Sequence, residues 1–86
     1  MAKPIVVIIS AAELTVGHIL SLARHIPAAS SALAQGQWKR SQYSGTELFE
    51  KTIGIIGLGR IGGLITERMQ SFGTSIIAYD PYVTAA

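Results

Sequence analysis

The sequence predicts an α/β fold in which strand, helix, strand, helix and strand follow one another and the strands run parallel. Three observations carry that reading. Short apolar runs of strand length stand at 5–9, 53–57 and 75–79, rich in isoleucine and valine. Two longer stretches with apolar residues at helical spacing separate them. The second run leads directly into Gly57-x-Gly59-x-x-Gly62, a glycine turn that opens a helix. Strands alternating with helices form parallel sheets, because the helix carries the chain back to the edge it started from.

Length and composition bound the rest. The chain has 86 residues, room for one domain spanning 1–86. A domain this small removes only about two-thirds of its unfolded surface from water. Hydrophobic residues make up 49% and charged residues 14%, more apolar than a small soluble monomer needs, so the excess is expected to be covered by association. A net charge of +2, with Lys39-Arg40 the only adjacent basic pair, argues against a nucleic-acid surface. The absence of cysteine excludes disulfides, thiol catalysis and cysteine-ligated metals.

The first run, 5–9, follows Pro4 and reads as a buried parallel strand with the proline at its first position. It is too short for a signal peptide or a bilayer span, and Glu13 interrupts any longer stretch, so no membrane partner and a cytoplasmic location are expected. Ser10-Ala11-Ala12-Glu13 has the form of a capping box, which starts a helix at 11 that runs to about 26, where Pro27 ends or kinks it. A shorter helical piece, 28–35, follows and stops at Gly36. The first helix is apolar nearly all round, as helices covered on more than one side are.

With the strands in chain order and right-handed crossovers, both helices fall on one face of the sheet and leave the other bare. A homodimer or larger assembly follows, through the 11–26 helix or through the sheet face. Residues 37–50 are polar with Trp38, Tyr43, Leu48 and Phe49 spaced through them. They read as an arm lying against its own domain or against a partner.

The glycine stretch carries the chemistry. Gly57 lets the chain turn, Gly59 keeps a Cβ out of a phosphate's way, and Gly62 lets helix and strand approach closely. The following helix reads as 61–72, stopped by Gly73. The last strand, 75–79, ends in Asp80, an acid about 20 residues past the glycines, where dinucleotide sites hold the adenosine ribose. Strand, glycine turn, helix, strand and acid together make half of a Rossmann unit that binds an adenine dinucleotide of the NAD type.

The segment from Ser10 to Pro27, then Gly45-Thr-Glu-Leu-Phe49, Gly54-Ile-Ile-Gly-Leu-Gly-Arg-Ile-Gly62 and Ala78-Tyr-Asp-Pro-Tyr82, resembles the D-isomer-specific 2-hydroxyacid dehydrogenases in almost everything from Ser10 to Val83. The resemblance implies a Rossmann domain with NAD. The pyrophosphate would be held by the backbone N–H groups of Arg60 and Ile61, the ribose by Asp80, with Pro81 and Tyr82 beside the adenine. It also implies a subunit interface formed by the 11–26 helix and the arm around Trp38.

Departures from the family pattern limit the function expected. The family's catalytic arginine, acid and histidine belong to the second half of that domain, and none maps onto this sequence, so no catalytic residue is assigned and the chain is expected to be inactive alone. Only the adenosine-pyrophosphate side of the cofactor site is encoded, which implies weak NAD binding. Residues 1–9 do not match the family, and Glu50 stands where the family tends to have glycine. His18 and His25, the only histidines, lie seven apart without a convincing carboxylate partner and are assigned neither catalysis nor a metal. The alternative is a self-associating structural module, natural or engineered, that keeps the fold and binds no ligand.

Overall fold

The computed structural model describes residues 4–38, 40–57 and 59–80. Their order is α1 (Pro4–Arg24), α2 (Ile26–Ala34), a short 3-10 turn at Arg40–Tyr43, β1 (Thr52–Ile56), α3 (Arg60–Gln70) and β2 (Ser75–Tyr79). The two strands pair in parallel, Thr52 with Ser75 through Ile56 with Tyr79. Fold class and the parallel βαβ core are as the sequence predicts.

The first strand is not. Residues 5–9 form the opening turns of α1, and among the described residues the sheet has two strands. No turn residue separates this run from the helix behind it, and extending a formed helix adds one hydrogen bond per residue without a new nucleus. β-Branched residues only weakly disfavour that outcome, and Pro4 is tolerated in a first turn. The capping box fails for the same reason: Ser10 and Glu13 lie inside α1, and the hydroxyl at that level is Thr15, whose Oγ1 donates to the Ala11 carbonyl at 2.8 Å.

The break between the helices falls at His25, two residues before Pro27, with φ 56 in the left-handed region. Pro27 then sits in the first turn of α2, where its missing N–H costs nothing. α2 ends as expected at Gly36, φ 80, whose N–H donates to Leu33 while Gln37 donates to Ala32. The arm is tied to its own chain: the Thr46 N–H donates to the Ala23 carbonyl at 2.8 Å and Arg24 Nε to the Ser44 carbonyl at 2.9 Å. A Cβ on Gly45 would overlap the Ala23 carbonyl oxygen, so this seam needs glycine. Trp38 and Phe49 remain largely exposed, although the Phe49 ring edge lies against Gly73. Glu50, at φ 63, carries the left-handed strain that glycine there would avoid, about 1 kcal/mol.

The layers run sheet, α3, α1. α1 packs along α3 and α3 rests on the sheet, with Ala12 and Met69 fully buried. Both helices therefore lie on one side. The opposite sheet face is bare, with Ile56 89% exposed. α1 is also exposed along much of its outer side, Leu22 at 80%. Its stretch Val7–Arg24 is long and apolar enough to cross a bilayer by length and composition, which corrects the expectation that Glu13 rules this out. A helix covered by other protein has the same composition.

Candidate functional site

After Ile56 the chain leaves β1 and must enter α3 within three residues. Gly57 makes the reversal at φ 93, and its N–H still donates to the Tyr79 carbonyl at 2.7 Å. The last rung of the parallel ladder thus pins the start of the turn, and only glycine accepts that backbone without strain. Gly62 serves packing: a Cβ there would stand 2.5 Å from the Gly57 carbonyl oxygen and 3.7 Å from Ile55 Cγ2. The helix backbone sits directly on the turn.

Gly59 differs from both. It precedes α3 at φ −52, open to any residue, and a Cβ there would meet nothing within 4 Å. The space over it is free, which is what an anion needs to approach the backbone. The first closed turn of α3 is marked by the Gly63 N–H donating to the Gly59 carbonyl at 2.9 Å. With Gly59 as N-cap, the N–H groups of Arg60 and Ile61 belong to the first turn of α3, whose donors a helix does not pair internally, at the positive end of the helix dipole. The exposed Arg60 side chain stands beside them.

A groove of about 560 Å³ runs along this turn, walled by Ile8, Ile55, Ile56, Ile61 and Ile65 around the glycines. No β2 residue is among its lining. Ile8 is the residue that sequence reasoning missed, because a strand at 5–9 placed it elsewhere. The unbroken helical run from 4 to 24 was the signal that could have found it.

Asp80 follows β2 directly and is half-buried. Because Ile56 is opposite Tyr79, Gly57 and Asp80 leave the sheet at the same level on adjacent strands, about 5 Å apart in strand spacing. The structure thus brings Gly57, Gly59, Arg60, Ile61, Gly62 and Asp80 to one end of the sheet. Pro81 and Tyr82 lie outside the described residues. The residues brought together suit an anion flanked by a sugar: the first-turn N–H groups of a helix, open backbone at Gly59 and a carboxylate at the same end of the sheet. His18 and His25 line a separate depression with Ser21 and Pro27, apart from the glycine turn. No group of three or more metal-ligating side chains occurs among the described residues.

Comparison with known proteins gives the arrangement its kin. Residues 16–86 match the family model described as D-isomer specific 2-hydroxyacid dehydrogenase, NAD binding domain. The chain is 52% identical over 77 residues to the D-3-phosphoglycerate dehydrogenase of Mycobacterium tuberculosis, covering 90% of this chain and 15% of that protein. To the human D-3-phosphoglycerate dehydrogenase it is 54% identical over 76 residues, covering 88% of this chain and 14% of that one. It therefore spans about one-seventh of the length of these relatives. Among solved structures, the NAD-dependent formate dehydrogenase of Staphylococcus aureus in complex with NAD superposes with a TM-score of 0.82 at 39% identity. That match covers 87% of this chain and 23% of that one.

Proposed function

The chain belongs to the D-isomer-specific 2-hydroxyacid dehydrogenases, as part of their NAD-binding domain, and from that premise we propose that it holds the adenosine-pyrophosphate side of NAD and performs no chemistry alone. The observation that carries this is the open space over Gly59 at the start of α3, at the end of the sheet where Gly57 and Asp80 leave it together. The pyrophosphate would be taken by the N–H groups of Arg60 and Ile61, with Gly57 and Gly62 holding strand and helix in place. Asp80 would accept from the adenosine ribose, and its charge disfavours a 2′-phosphate. Pro81 and Tyr82 are assigned to the adenine by the family resemblance.

When bound, NAD supplies a nicotinamide able to exchange a hydride, and in a complete dehydrogenase that ring would meet a small D-2-hydroxy acid such as 3-phosphoglycerate. This chain's own contribution is to bind and orient one end of the cofactor. Neither His18 nor His25 reaches the turn to move a proton there.

The same reading assigns the chain to a homodimer through the helical face at 11–26 and the arm at 37–50, in the cytoplasm, without nucleic acid or membrane as partner. The exposure of Leu14, Leu22 and Trp38 supports a protein-covered face there. The runner-up, a self-associating module without a ligand, draws on that same exposed apolar surface.

Calorimetric competition separates the two. ADP is expected to displace NAD with an affinity within a few-fold of NAD itself, since both present the same adenosine and pyrophosphate. A strong preference for NAD would contradict the assignment of the adenosine-pyrophosphate side alone. Absence of binding by either, from a folded oligomer, would favour the ligand-free module.

A further inference from the structure

We propose that Ile8, carried on the first turns of α1, is a nucleotide-facing residue: it forms the α1 wall of the phosphate groove and sets the polarity that a bound anion meets there. The inference rests on the nucleotide reading above. Within that reading it assigns a residue to which neither the glycine turn nor the family pattern gives a role.

Helix geometry brings Ile8 to the turn. Residues four apart on a helix share a face. Ala12 is fully buried and α1 packs along α3, so the face that carries Ala12 is turned inward, and Ile8 extends it by one turn. The cavities mark where that turn arrives. Ile8 lines the groove of about 560 Å³ together with Gly57, Gly59 and Arg60. It also lines a second depression, of about 470 Å³, with Ile9, Arg60, Gly63 and Glu67. Ile8 and Arg60 are the two residues common to both, so they flank the divide between them. Ile8 is itself half-buried, packed on one side and open on the other.

The chemistry follows from the lining. Arg60 is the one charged residue of the groove, and the others are glycine and isoleucine. An anion over Gly59 therefore meets N–H donors and a cation from the start of α3, and hydrocarbon from α1. Hydrocarbon beside a hydrogen bond to a charged acceptor excludes water and lowers the local dielectric, which strengthens that bond. Glu67 borders only the second depression, which keeps its like charge out of the groove.

Calorimetric titration of the full chain with ADP, on the wild type and on Ile8→Lys and Ile8→Glu, tests the wall. The half-exposed position lets either charged head reach solvent, so the circular dichroism should not change. Ile8→Lys is expected to bind ADP about 3–10-fold more tightly and Ile8→Glu more weakly by a similar factor, as a unit charge a few ångströms from a phosphate requires. The gap should close in about 1 M salt, where the screening length is about 3 Å. Ile8→Leu, which keeps the hydrocarbon, should bind as the wild type does. Two folded charge variants that bind ADP as the wild type does, or that both weaken alike, would overturn the proposal and leave the nucleotide reading standing. A folded wild type that binds no ADP removes both. If a charge variant unfolds, the Ile8 methyl resonances of the wild type decide. A shift that saturates with the Gly59 amide as ADP is added supports the wall, and methyls that stay still while that amide moves remove it.

Discussion

Valine in place of Gly59 is expected to abolish nucleotide binding, a loss of at least ~100-fold, while the chain stays folded. The two halves of that result come from different facts. At φ −52 the backbone accepts any residue, and the space a side chain would enter is empty, so nothing in the protein is displaced. A branched side chain is a poorer helix start than glycine, at about 1 kcal/mol, which lowers the melting temperature of a domain this size by some ~4–8 °C. The pyrophosphate, in contrast, needs that same empty space to reach the N–H groups of Arg60 and Ile61. Hydrogen bonds to a charged group contribute about 1.5–3 kcal/mol each, so losing two removes all measurable affinity from a weak site. Calorimetric titration with ADP, beside a thermal melt of the same sample, reads both halves. Binding that survives the substitution would place the ligand elsewhere.

The second large effect is expected at Gly62, and its sign is reversed: here the fold is lost before the site. Alanine would put a Cβ 2.5 Å from the Gly57 carbonyl oxygen, against backbone that the rung to Tyr79 holds in place. Helix and strand must separate. Forcing a methyl into a closed seam costs about 1–3 kcal/mol, a drop of roughly 5–20 °C in melting temperature. Chemical denaturation of Gly62→Ala should show a lower midpoint with the slope unchanged. A variant as stable as the parent would mean that α3 is not seated on the glycine turn.

These two glycines mark how far the sequence could be read. Their spacing, and the acid that follows the last strand, pick out the end of the sheet where the candidate site lies. β2 falls on the expected residues, 75–79, and β1 and α3 begin one residue early. Those elements are legible because each is bounded by glycine, and a glycine at positive φ, as at 57 and 73, is a local requirement.

What was not legible depended on distant contacts. Five apolar β-branched residues fit a buried strand or the start of a long helix equally well by periodicity, and only the absence of a turn before Ser10 separated the two. The break at His25 carries no glycine or asparagine to announce its left-handed backbone, so Pro27 drew the boundary instead. The lack of a turn before Ser10 could have shown Ile8 to be helical, but its place in the groove depends on α1 packing along α3, a tertiary contact that no local pattern announces. The bare sheet face was foreseeable from the handedness of the crossover alone. It survives the loss of the first strand because the remaining helices still share one side.

The most direct test of the account is a residue-by-residue NMR titration of the chain with NAD. Amide shifts that saturate together at Gly57 to Gly62 and at Asp80, and that leave His18 and His25 unmoved, are the predicted result. A folded chain whose glycine-turn amides do not respond, at NAD concentrations that saturate a weak site, would contradict it.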